Sequence, residues 1–191
     1  MVTVVSKTNN RKGNSMQLNY VENKDKVLST TWKDDHIHPL VKSLNFEKLK
    51  WKLSKSSEAS WDADLCEFAE SEYRKFLTLK KLHPKVSLVP SKLVDKFWHE
   101  HILDTLSYEK DCSKVFNRFI HHYPYFGIHD DKDQANLQTS FDETIKLYEM
   151  QFGDFPITTL FGSGTHTAAR CGGHACHVPS TCACRSPGAC K

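Results

Sequence analysis

A chain of 191 residues has room for one domain plus appendages. Its net charge of +3, from 26 basic and 23 acidic residues, is too small and too mixed for the clustered basic face that nucleic-acid binding needs. The opening apolar run is too short for a secretory core, and no stretch approaches the roughly 18 apolar residues of a membrane span, so a cytoplasmic protein is expected, its seven Cys serving as thiols or metal ligands.

Residues 1–35 are rich in Lys, Asn, Ser and Thr without periodicity, which predicts a disordered polar arm. A short helical piece is expected from Pro39 through Leu44. Another lies in NFEKLKWKL, where Phe46, Leu49 and Leu53 recur at helical spacing around Trp51. The first long helix is predicted over Trp61–Leu82, with Trp61, Leu65, Phe68, Ala69, Phe76 and Leu79 on one face, Ser60 as N-cap and Pro84 as stop. Its acids come first and its bases, Lys80 and Lys81 among them, come last, as the helix dipole favours. Pro90 and Ser91 start the next helix, which reaches about Tyr108 and either continues or restarts through Ile120. The last spans about Gln134–Phe152 with Leu137, Phe141, Ile145, Tyr148 and Phe152 as its stripe, ended by Gly153 and Pro156. With no convincing strand, the class is all-α: a compact bundle of about four to six helices. The expected organisation is an arm over 1–35, a helical domain over 36–157, and a flexible linker with a Cys/His-rich tail over 158–191.

The densest chemistry lies between Val94 and Gly127, in VDKFWHEHILDTLSYEKDC and FIHHYPYFG. At about 100° per residue, His99 and His101 point about 160° apart, so one helix cannot offer both to one ion. His101 falls inside the apolar arc, where a hydrogen-bonded core histidine is expected. Asp95 and His99 form an i, i+4 pair, and a carboxylate beside an imidazole orients it for a metal or raises its basicity. If the following segment folds back, His121 or His122 joins them in a two-His, one-carboxylate set suited to zinc or non-haem iron. Cys66 and Cys112 read as buried small hydrophobes. Asp104 is a candidate general base should the site be catalytic.

These residues resemble the glycine-rich domain-containing protein-like family. The pattern is a Val-Asp-x-x-Trp-His-x-His helix, an Asp-Cys, a Phe-Ile-His-His-x-Pro turn and a Tyr-x-x-x-Phe-Gly helix end, over about residues 55–156. The resemblance implies a helical fold and carries over no biochemical activity. It marks Asp95, Trp98, His99, His101, Asp104, His121 and His122 as the shared polar signature. Some members have Gly/Cys-rich C-terminal ends; the end here holds Gly172, Gly173 and Gly188 and is Cys-rich rather than Gly-rich.

In the tail, Cys171, His174, Cys176 and His177 fall close together, with Cys182, Cys184 and Cys190 beyond. Soft ligands this dense favour zinc or copper, although the spacing matches no zinc finger. The leading expectation is therefore a metal-binding helical module with an Asp95, His99 and His121 or His122 site and a soft-metal tail. Zinc is the first choice of ion, with iron or copper behind it. The alternatives are a small metal-dependent enzyme on the same site, an interaction domain whose histidines are structural, and the precursor of a modified Cys-rich peptide. No phosphate loop or nucleophile elbow is present.

Overall fold

Helix starts and stops follow local chemistry along residues 36–55 and 61–156, which the computed structural model describes. Six helices run through them: α1 Pro39–Lys42, α2 Glu47–Lys55, α3 Ala63–Leu82, α4 Lys92–Leu103, α5 Thr105–Phe116 and α6 Asp131–Phe152. None of the described residues forms an extended strand, so the all-α expectation holds. The expected arm over 1–35 and tail over 158–191 lie outside the described residues. No helix among the described residues is long and apolar enough to cross a membrane.

Asp62 is the cap of α3, its carboxylate accepting from the Leu65 N–H at 2.8 Å; the expected cap, Ser60, lies outside the described residues. Ser91 caps α4 as expected, through the Val94 N–H. The open question of one long helix or two resolves as two. Asp104 closes α4 and caps α5, accepting from the Ser107 N–H at 3.3 Å, and so turns the chain between them. Gly153, at φ +89, ends α6.

α3 is the central element, packing against α1, α2, α4 and α6, while α4 also meets α2 and α5. The two α3 stripes explain this. Phe68, Ala69, Phe76 and Leu79 are buried, as predicted, and Tyr73 and Leu77 widen the apolar surface to a second side. Phe46, Leu49 and Leu53 are buried at the spacing expected, and Trp51, two residues from both leucines and so on the far side of α2, is 67% exposed. Polar ties fasten the ends. Arg74 donates to the carbonyls of Val41 at 2.6 Å and Leu44 at 2.9 Å, closing the C-terminal end of α1. Glu72, buried in α3, accepts from the Tyr148 hydroxyl of α6 at 3.0 Å and from Lys75 at 2.7 Å. Burial pushes the Glu72 carboxyl up despite these partners.

Candidate metal centre

α4 presents its two histidines to different surroundings, as the helical period requires. His101 is 2% exposed. Its Nδ1 accepts from the Tyr73 hydroxyl at 2.9 Å and its Nε2 donates to Asp111 at 3.1 Å, among the rings of Phe46 and Tyr108. One neutral tautomer satisfies both bonds, which is the core histidine expected from the wheel. Cys112 and Cys66 are buried thiols whose acidity burial lowers, as expected of small hydrophobes.

His99 faces the other way, half-buried, beside the buried Asp95. The fold-back places His122 on this pair across 27 residues of chain from Asp95. His122 Nε2 is 3.0 Å from Asp95 Oδ1 and 3.1 Å from His99 Nε2, and His99 Nδ1 lies 3.8 Å from Asp95 Oδ2. Asp95, His99 and His122 each offer an atom within 4.8 Å of the others, a group that can hold a metal ion. His121, the alternative partner, is exposed and lies with its ring 5.0 Å from that of Phe119. The two histidines share a non-helical stretch, and of the two His122 is the one within hydrogen-bond distance of Asp95 and His99.

The position of His122 is set by the helices around it. Tyr108 of α5 accepts from Trp98 Nε1 at 2.9 Å and donates to the Ile120 carbonyl at 2.6 Å, two residues before His122. The Trp98 and His122 rings then meet edge to face, centres 4.9 Å apart. Farther along, the Gly127 N–H donates to Asp133 Oδ2 at 2.7 Å in the first turn of α6.

A cavity of about 180 Å³ opens on Asp95 and His122, with Lys80, Trp98, His121, Tyr123, Phe126 and Leu137 in its wall. Burial, with the charge of Arg118 second, lowers the Lys80 amine to about 8. Lys80 was read from sequence only as a complement to the helix dipole. The signal that it belongs here is its spacing: four residues after Phe76, it continues the apolar stripe of α3 rather than its charged face. Asp104, the candidate base, is outside this cavity, committed to its cap and made more acidic by Ser107. The tail residues Cys171, His174, Cys176, His177, Cys182, Cys184 and Cys190 lie outside the described residues.

Residues 38–149 match the family model described as UCP032817-like. The chain belongs to the UCP032817-like family. The UCP032817-like match starts upstream of the pattern read over 55–156, taking in α1 and α2, and it spans the whole Asp95, His99 and His122 group. The family is uncharacterised and brings no activity with it. No curated protein and no solved structure matches the chain.

Proposed function

We propose that the protein is a metal-binding helical module in which Asp95, His99 and His122 hold one divalent transition-metal ion, zinc first and iron or copper after it. The convergence of three ligand atoms carries this reading. One hydrogen on His122 Nε2 cannot serve both Asp95 Oδ1 at 3.0 Å and His99 Nε2 at 3.1 Å in good geometry, whereas one cation accepts a lone pair from each. Ligands about 2.0–2.1 Å from a tetrahedral zinc ion are roughly 3.3–3.4 Å apart, so the two contacts that His122 Nε2 makes need to open by only a few tenths of an ångström. Three protein ligands leave a fourth position, and zinc sites of that kind are open to water or substrate.

The cavity beside Asp95 and His122 favours a second reading, a metal-dependent enzyme on the same residues. The Cys/His tail is proposed as a separate soft-metal ligand set. Elemental analysis tests the module. The full chain, with Cys171, Cys176, Cys182, Cys184 and Cys190 replaced by Ser, retains close to one zinc per molecule, and adding His122→Ala removes it. Zinc retained equally by the His122→Ala chain would sink the helical site.

A further inference from the structure

The cavity holds a cation that metal binding does not use. Lys80 leaves the last turn of α3 with its Nζ 5.2 Å from the Phe76 ring centre and 5.5 Å from that of Trp98. Aromatic faces, not a carboxylate, receive its ammonium, and among the described residues Lys80 forms no ion pair. The same indole that carries Lys80 meets His122, so cation and candidate ligand flank one ring. The remaining wall includes Val89, Phe126 and Leu137, with Val89 and Leu137 buried in one apolar cluster that Phe126 packs against. The cavity wall therefore combines charged groups with an apolar surface.

Charge decides what this space can take. Asp95 alone would repel an anion from the cavity. A divalent ion on Asp95, His99 and His122 reverses the local sign, so that metal and Lys80 then attract the same negative group. An inorganic anion would leave the apolar wall unused. A carboxylate has two oxygens, one for the metal and one for the ammonium, and a carbon body for the wall. A volume of about 180 Å³ is near the ~150 Å³ of a protein cavity that takes benzene.

On the metal-binding reading above, we infer that the loaded site binds a small carboxylate with an apolar body. One carboxylate oxygen fills the vacant coordination position, the other meets Lys80, and the body rests against Phe126 and Leu137.

The test uses the full chain with the five tail cysteines replaced by Ser and cobalt(II) as the ion, because the visible bands of cobalt report its ligands. Benzoate is the probe, benzamide its uncharged counterpart, and inorganic phosphate the anion without an apolar body. Benzoate is expected to shift the cobalt bands saturably, with benzamide and phosphate silent at the same concentrations. Lys80→Met weakens benzoate about tenfold or more with cobalt content unchanged, and Lys80→Arg recovers most of the loss. If cobalt is bound but benzoate leaves the bands unmoved, or if Lys80→Met binds benzoate as well as the parent, the inference fails and the metal site stands. A response to phosphate without one to benzoate also overturns it. If Asp95, His99 and His122 hold no cobalt, the metal reading fails and this inference with it.

Discussion

The Tyr108 hydroxyl accepts from Trp98 Nε1 and donates to the Ile120 carbonyl, so one oxygen links α4, α5 and the stretch that carries His122. Tyr108→Phe leaves both partners buried without it, at a cost of about 1–3 kcal/mol for each unsatisfied group. The expected outcome is a lower urea midpoint and weaker zinc binding by equilibrium dialysis, with the Asp95, His99 and His122 side chains unchanged. Lys80 makes a second prediction at this scale. Its amine is held at about 8 in the folded chain against 10.5. Between those values the unfolded chain binds more protons than the folded one, so stability rises with pH across that window. The stability of the parent relative to Lys80→Met should therefore climb from pH 8 to 10.5, by at most about 3 kcal/mol, in denaturant titrations run across the range. Comparing two chains cancels the ionisation of Cys66 and Cys112, whose folded thiols burial pushes up.

Two backbone positions set where the segment carrying His122 begins and ends. Asn117 closes α5 in the left-handed region at φ 55, a conformation that Asn and Gly tolerate and branched residues do not. Gly127, at φ +80, stands where an added Cβ would meet Leu137 Cδ2 at 2.5 Å. Asn117→Val and Gly127→Ala should each cost about 1–2 kcal/mol, while Asn117→Gly should be tolerated; thermal unfolding checks all three. Spacing alone located these elements well. The α3 and α6 stripes, the Ser91 cap and the Gly153 stop were legible because each depends on neighbours within one or two turns. Trp51 lies two residues from both Leu49 and Leu53, about 200° round the helix from the stripe they form, and its indole is accordingly exposed.

Across the whole molecule, the candidate ion would fasten α4 to the segment after α5, closing contacts between parts of the chain far apart in sequence. A ligand that binds only the folded state stabilises it by about 2.7 kcal/mol at one hundred times its dissociation constant. In the full chain with the tail cysteines replaced, zinc at that excess should raise the melting midpoint by several degrees, a chelator should reverse the rise, and Asp95→Asn should abolish it. Failure of the midpoint to move in the Asp95-intact chain would count against the site. The α3–α6 tie through Glu72, Lys75 and Tyr148 lies elsewhere in the bundle, so Tyr148→Phe should lower the midpoint while leaving the zinc-dependent rise intact.

By itself the sequence located the helices, apart from the break between α4 and α5, and determined the inward course of His101 and the pairing of Asp95 with His99, since these follow from a period of 3.6 residues along one element. It narrowed the third partner to His121 or His122 and could go no further. Tertiary structure made that choice, through the Tyr108 tie and the edge of Trp98, and brought Lys80 from α3 to the same cavity. These contacts join residues on different elements, where the way helices pack, and not the spacing within any one of them, decides which side chains meet.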